Sequence, residues 1–250
     1  KQAEEHAMRL DRLWAVGADS GSVLHLPTGE VEKPAFARNY AVRDGVLVAL
    51  DTPTLVIHGG AGVEPGDLTP QEEDDARKAM ETALRVGYAK LQGGSSSVDA
   101  VTAAITVMED APQFNAGRGA VFTHDGRNEL DTSIMDGSSG MAGAAAGLHR
   151  VKNPITLARA IMEKSKHVMM VGDGAEIFAK EQGITLVDPA YFRTEKRWKA
   201  LQDALKEEAK AQASNTPLVL PGKAYFGTVG ALALDAKGNL AAGTSTGGMT

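Results

Sequence analysis

The run Ala142-Gly143-Ala144-Ala145-Ala146-Gly147 constrains the fold of this chain more than any other stretch. It has almost no side chain to bury, so as a strand it needs another backbone packed closely against it. A flexible linker is the alternative, and it fits poorly between two ordered-looking segments. Sheet layers in close contact, with helices outside, are the architecture that uses such a run.

The rest of the pattern supplies those elements. Thr54 to His58 is a short apolar run that enters a glycine turn, Gly59-Gly60-Ala61-Gly62, and reads as a buried strand. Thr69-Pro70-Gln71-Glu72 opens a helix, with Thr as cap, Pro at the first position and Glu three residues after the cap. Its buried stripe is expected at Ala76, Met80, Ala83, Leu84, Gly87 and Leu91, and Gly93-Gly94 ends it. Ser97 is expected to cap a second helix that runs to about Glu109, with Asp99 in its first turn. After a glycine-bearing loop, Asn115 to Gly119, come strands at Glu129 to Met135 and Ala142 to Leu148. A helix follows from Pro154 to about Lys164. Phe192 to Ala211 reads as an exposed charged helix leading into a solvated linker, Gln212 to Lys223. Val229 to Leu234 and Leu240 to Thr244 form a strand pair about the turn Asp235-Ala236-Lys237-Gly238-Asn239.

Residues 1–52 differ in character and read as an N-terminal extension in which no chemistry is evident. A helical opening from Gln2 to Val16 is expected to give way to strands near Val23 to Leu26 and Val46 to Leu50. Pro27-Thr28-Gly29 and Asp44-Gly45 supply turns.

Composition narrows the function. A formal net charge of −6 and the lack of a basic run argue against nucleic acid as a partner. Nothing approaches the apolar length of a membrane-spanning helix. The chain has no cysteine, which removes thiol nucleophiles, disulfides and thiolate metal sites. Its six histidines show no metal-ligand spacing. The first residue is Lys1, so the compartment stays open: cytoplasmic, or periplasmic if a signal peptide has been removed.

The run Tyr225 to Asp235 carries the chemistry. It sets a Gly227-Thr228 bond before an apolar strand and just after the linker. A threonine hydroxyl becomes an effective nucleophile if the preceding peptide bond is cut, because the freed α-amine can act as its base. That amine titrates near pH 8 (about 7.7–8.0 in model peptides), so much of it is unprotonated at neutral pH. The alternative is that Thr228 simply begins a strand, where β-branched residues are favoured.

Seven separated stretches then agree with one family, in order. They are Leu55-Val56-Ile57-His58-Gly59-Gly60-Ala61-Gly62, Phe114-Asn115-Ala116-Gly117-Arg118-Gly119, Met135-Asp136-Gly137, Ala142-Gly143-Ala144, His167-Val168-Met169-Met170, Gly227-Thr228-Val229-Gly230 and Thr244-Ser245-Thr246-Gly247-Gly248-Met249-Thr250. From Thr54 onward the chain resembles the plant-type L-asparaginase / isoaspartyl peptidase family of N-terminal-nucleophile hydrolases. The resemblance implies an α+β fold, a four-layer αββα sandwich. It implies a precursor that cuts itself between Gly227 and Thr228, and assembly as a dimer of αβ heterodimers. The implied substrates are L-asparagine and β-aspartyl (isoaspartyl) dipeptides.

Carried over residue by residue, Thr228 resembles the nucleophile and Gly227 the residue on the departing side. Thr246 resembles the threonine that hydrogen-bonds the nucleophile, and Asn115 the asparagine of the substrate pocket. No catalytic cofactor is implied. A structural sodium ion is, held by backbone carbonyls of Met108, Glu109, Ala111, Phe114, Ala116 and Arg118. Residues 53–227 would form the α part and 228–250 the start of the β part. The fold would then be incomplete at its C-terminus, with the groups that grip the substrate's α-carboxylate and α-amine lying past Thr250.

Two alternatives stay open. A glycosylasparaginase-like relative typically has an acidic residue where this chain has Gly227. A non-catalytic fragment or binding protein of the same fold would not need the Thr228–Thr246 pair. Four further features have two readings each. His58 is a catalytic base or hydrogen-bonded structure. Asp131 and Asp136 are an acid–base pair or turn formers. Arg118 steers an anionic substrate or makes a surface salt bridge. Glu72-Glu73-Asp74-Asp75 is functional or simply the solvated start of a helix.

Overall fold

The computed structural model describes residues 13–16, 23–25, 40–43, 46–49, 53–61, 67–214 and 227–249. Ten strands are present among them: β1 (Leu13–Val16), β2 (Val23–His25), β3 (Tyr40–Arg43), β4 (Val46–Ala49), β5 (Thr54–His58), β6 (Leu130–Asp136), β7 (Ala142–Leu148), β8 (Met169–Val171), β9 (Thr228–Leu234) and β10 (Leu240–Thr246). The helices are α1 (Pro70–Gln92), α2 (Ser97–Asp110), α3 (Pro154–Lys164), α4 (Gly172–Glu181) and α5 (Glu195–Ser214). Eight strands form one sheet in the order β2-β1-β5-β9-β10-β6-β7-β8, and β3 pairs with β4 separately. The large sheet is antiparallel except between β7 and β8. Its helices cover one face, an α+β arrangement of helices packed on a largely antiparallel sheet.

The expected elements have identifiable causes. Thr69 caps α1 through a reciprocal box in which its side chain accepts from the Glu72 backbone N–H and the Glu72 carboxylate accepts from Thr69 N–H. The acidic run beside it is solvated, with Glu73 paired to Arg77 and Asp74 to Lys78. The stripe of α1 buries Met80, Ala83, Leu84, Gly87, Tyr88 and Leu91, while Ala76 stays half-buried. That face packs with α2 over β5, β9 and β10, burying Leu55, Ile57, Ile105, Met108 and Val229. Each such aliphatic side chain contributes about 1.5–3 kcal/mol on burial. A second cluster (Leu130, Leu148, Leu157, Ile161, Phe192) seals α3 and α4 against β6 and β7.

The small-residue run is strand β7, and the backbone that lies against it belongs to α3. A Cβ on Gly143 would sit 2.7 Å from Met162 N and 2.8 Å from Met162 Cβ, and would strike Ala158 O. The close approach is therefore between sheet and helix.

Four expectations are corrected. Leu13–Val16 is not helical; it pairs antiparallel with β5, placing Leu13 opposite His58, because an open strand edge offers a complete row of partners. Ser96, not Ser97, caps α2: its hydroxyl accepts from Asp99 N–H while Asp99 returns the bond, and Ser97 is buried at the first helical position. The exposed helix α5 starts at Glu195, after a 3₁₀ turn at Pro189–Phe192, and Thr194 supports its first turn through Arg197 and Trp198. That helix also continues through Ser214, so the first residues assigned to the linker are helical. The remainder of the linker, 215–223, lies outside the described residues, as do Gln2–Asp11, the turns at Pro27–Gly29 and Asp44-Gly45, Gly62 and Thr250. Strands β3 and β8 and helix α4 were not anticipated.

Candidate active site

Four segments meet at one end of the sheet: the end of β5, the start of β9, the end of β10 and the loop after α2. Thr228 and Thr246 are register partners on β9 and β10. Side chains alternate along a strand, so both hydroxyls project to the face away from the helices, as do Leu232 and Leu240.

The hydroxyls form a chain that ends on the Gly227-Thr228 peptide bond. Thr228 Oγ1 donates to Thr246 Oγ1 at 3.2 Å, and Thr246 Oγ1 donates to the carbonyl of Gly227 at 3.1 Å. Gly248 N–H also donates to Thr246 Oγ1 at 3.1 Å, so the Thr246 proton is directed to the Gly227 carbonyl. This places a hydroxyl donor on the oxygen where negative charge would develop if Thr228 attacked the preceding carbonyl.

The backbone around that bond is tightly enclosed. Gly60 adopts φ +111°, a conformation that side-chain-bearing residues rarely take, and a Cβ there would stand 3.2 Å from Gly227 Cα. On the other side a Cβ on Gly227 would stand 2.6 Å from Asn115 Cβ. Asn115 is buried and fully engaged: its amide donates to Gly248 O at 2.8 Å, its side-chain oxygen accepts from Val121 N–H at 2.9 Å, and its carbonyl accepts from Gly247 N–H at 3.1 Å. It clasps the segment after β10 to the loop after α2.

His58 Nδ1 lies 3.0 Å from the carbonyl of Thr228; the carbonyl can only accept, so Nδ1 carries the proton and the ring holds the start of β9 in place. Asp131 accepts from Gly147 N–H. Asp136 organises the turn after β6 through Ser138 and Ser139, which, against the opposing effect of burial, hold its carboxyl below the usual range. The two are six register positions from end to end of the β10 pairing, so they do not converge on one substrate atom. Arg118 is exposed, with its guanidinium 5.8 Å from the centre of the Tyr191 ring.

The candidate ion loop runs from the last turn of α2 through a 3₁₀ turn at Gly117–Gly119. Carbonyls of Met108, Ala111 and Ala116 each accept one backbone N–H, from Ala111, Phe114 and Gly119. The carbonyls of Glu109 and Phe114 press on Gly117 and Gly119, where any Cβ would strike them. Among the described residues no group of three or more His, Cys, Asp or Glu side chains is placed to hold a metal. No described helix is long and apolar enough to cross a membrane.

The buried side chains of two residues behind the site, named before only for a backbone carbonyl and within a family stretch, escaped sequence reasoning. Glu109 and Ser245 are both fully buried. Burial pushes the Glu109 carboxyl up to about 8, against the opposing pull of the Ser245 hydroxyl and the Ile155 N–H. The available signal was spacing, since Glu109 stands four residues after Ile105 on the apolar stripe of α2.

Residues 51–250 match the family model described as asparaginase. The isoaspartyl peptidase of Escherichia coli (strain K12) is 46% identical over 198 residues, covering 78% of this chain and 61% of that protein. The isoaspartyl peptidase/L-asparaginase of Homo sapiens is 41% identical over 197 residues, covering 79% of this chain and 61% of its own length. A probable isoaspartyl peptidase/L-asparaginase of Arabidopsis thaliana is 38% identical over 212 residues, covering 78% and 65%. The chain thus spans about three fifths of the length of the curated relatives it matches. With four fifths of its residues inside one family model, the chain belongs to the asparaginase family.

Proposed function

We propose that this chain carries the nucleophile of a self-cleaving amidohydrolase acting on L-asparagine and β-aspartyl (isoaspartyl) dipeptides. The observation that carries the reading is the hydroxyl chain from Thr228 through Thr246 to the Gly227 carbonyl. The printed names of the relatives, isoaspartyl peptidase and L-asparaginase, support the substrate class.

In maturation, Thr228 Oγ attacks the Gly227 carbonyl carbon, Thr246 supports the developing oxyanion, and the C–N bond breaks as the nitrogen takes the hydroxyl proton, leaving an ester on Thr228 Oγ and a free α-amine. Water then hydrolyses the ester, freeing the carboxylate of Gly227 and the hydroxyl of Thr228. In turnover, that amine takes the hydroxyl proton as Oγ attacks the substrate's side-chain carbonyl. Ammonia or an amino acid leaves with a proton, and water releases aspartate from the acyl-enzyme.

The rest of the reading follows the family. The sheet face bearing Thr228 and Thr246 also carries a row of Val56, Leu232, Ala242, Met135 and Ala142 in register. Met135, Leu232 and Leu240 are about half exposed there, as expected of a face built to meet a second sheet in a four-layer αββα sandwich. Residues 1–52 are then an extension, 53–227 the α part and 228–250 the opening of the β part, with αβ units pairing into a dimer. The carbonyls of Met108, Glu109, Ala111, Phe114, Ala116 and Arg118 fit a sodium ion, because hard cations take carbonyl oxygens and a carbonyl with one hydrogen bond keeps a second lone pair. That ion would stiffen the loop presenting Asn115.

The test is intact mass under denaturing conditions, fresh and after days at neutral pH. Two species meeting between Gly227 and Thr228, with release of ammonia from L-asparagine only after cleavage, are expected. A single uncut species in an otherwise folded protein would refute the reading.

A further inference from the structure

Ser245 precedes Thr246 on β10, so its side chain emerges on the opposite face of the sheet, among the helices. Glu109 meets it there. One carboxyl oxygen of Glu109 accepts from Ile155 N–H at 2.9 Å, in the first turn of α3. The cap residue of that helix, Asn153, makes no capping bond itself, so Glu109 supplies the acceptor from another element.

The other carboxyl oxygen and the Ser245 hydroxyl are the two buried side-chain polar atoms without a hydrogen-bond partner among the described residues. Gly243, two residues before Ser245 on the same face of β10, packs against Ile105, one turn before Glu109, and against Ile155, whose N–H Glu109 accepts, so the two unpaired groups occupy adjoining positions where α2 crosses β10.

This placement does not serve α2. Glu109 and Asp110 stand at the C-terminal end of that helix, where the dipole disfavours negative charge, and its last turn holds no basic residue. Asp110 turns outward to Lys152, Asn153 and Tyr191. Glu109 turns inward, and its Cβ also packs within 2.8 Å of where a Cβ on Gly117 would stand, in the loop that presents Asn115. One buried side chain thus links the start of α3 to the loop that presents Asn115, beside the end of β10 that carries Thr246.

We propose that the Glu109 side chain is a positioning residue: it braces Ser245 from behind and keeps the neighbouring Thr246 hydroxyl aimed at the Gly227 carbonyl. This role belongs to the carboxyl and is separate from the backbone carbonyl of the same residue. It rests on the reading of Thr228 as the nucleophile.

The test compares Glu109→Gln, Glu109→Leu and Ser245→Ala in the intact protein, following first-order cleavage by mass alongside the melting temperature. Gln keeps an oxygen for Ile155 N–H and an amide donor for Ser245, so cleavage is expected within about twofold of the parent. Leu fills the same space without either contact and is expected to slow cleavage by about tenfold or more while the protein still melts cooperatively. Ser245→Ala is expected to slow it in the same direction with little change in melting. A folded Leu variant that cleaves at the parent rate overturns the proposal, as does a Gln variant as slow as Leu. Where Leu does not fold, Ser245→Ala cleaving at the parent rate overturns it alone. A parent protein that cleaves, and a Thr228→Ala control that does not, separate these outcomes from failure of the nucleophile reading.

Discussion

Replacing Gly227 with alanine tests the geometry of the candidate cleavage bond directly. The backbone of Gly227 is not in the left-handed region, so alanine is not strained by conformation. The obstacle is Asn115, whose Cβ would lie 2.6 Å from the new methyl group. Carbon atoms prefer separations of about 3.5–4.0 Å, so one partner has to move by roughly an ångström. Asn115 cannot yield easily, because three hydrogen bonds fix its side chain and backbone to Gly248, Val121 and Gly247. The peptide therefore shifts, drawing the Gly227 carbonyl away from the Thr246 hydroxyl that donates to it. Overpacking of this kind costs about 1–3 kcal/mol. If that strain falls on the attack geometry, cleavage slows by roughly 5- to 150-fold. The assay is the first-order rate of conversion to two chains by denaturing mass spectrometry. Gly230→Ala is the internal control, since a Cβ there meets nothing nearer than 3.6 Å and cleavage should stay near the parent rate. Gly227→Ala cleaving as fast as the parent, or faster, would refute the account of a bond gripped between Gly60 and Asn115.

Thr246→Val removes the donor to the Gly227 carbonyl at nearly constant volume, and cleavage should fall by about 10²–10³ in rate, read by the same assay. Gly143→Ala should destabilise the protein by about 1–3 kcal/mol in denaturant titration, because the methyl group meets the backbone of α3 at Met162 N and Ala158 O. Asp235 is mostly buried, which raises its pKa, but the N–H groups of Asn239, Lys237 and Ser97 outweigh burial and hold the carboxyl below its usual 3.8. A folded-state pKa below the unfolded value contributes stability above that unfolded value and loses it as pH falls through the folded one. Asp235→Asn should therefore cost about 2 kcal/mol near neutral pH, and the gap to the parent should narrow as thermal melts are taken below about pH 4.

Much of the fold was legible because local chemistry and tertiary packing agree. The Thr69 box, the Pro154 helix start and the β9–β10 turn each carry their own cause in consecutive residues, and the structure places them as read. Where pairing partners are distant, local reading failed. Leu13–Val16 is compatible with a helix until the open edge of β5 is supplied, and nothing near Met169–Val171 announces a strand that depends on β7. Ser96 and Ser97 are both good caps in isolation; only the burial of one at the first helical turn distinguishes them.

The candidate site divides in the same way. The meeting of Gly227, Thr228 and Thr246 was legible because residue type marked the Gly227-Thr228 bond, the family resemblance pointed to Thr246, and a strand pair joined through a short turn brings them together. Glu109 and Ser245 stand 136 positions apart in sequence and meet only because α2 lies across β10. The alternation of β10 makes their relation to the chemistry more than proximity. Thr246 on one face meets Gly227 and Thr228, and Ser245 on the other faces the helices beside Glu109, so any rotation of β10 that moves Ser245 also swings the Thr246 hydroxyl. A slip of one residue would exchange the two faces, sending Thr246 into the helices and Ser245 toward the Gly227 carbonyl. The register of β10 against β6 and β9 is thus what keeps the Thr228 and Thr246 hydroxyls on the face away from the helices and their proposed brace on the dry side.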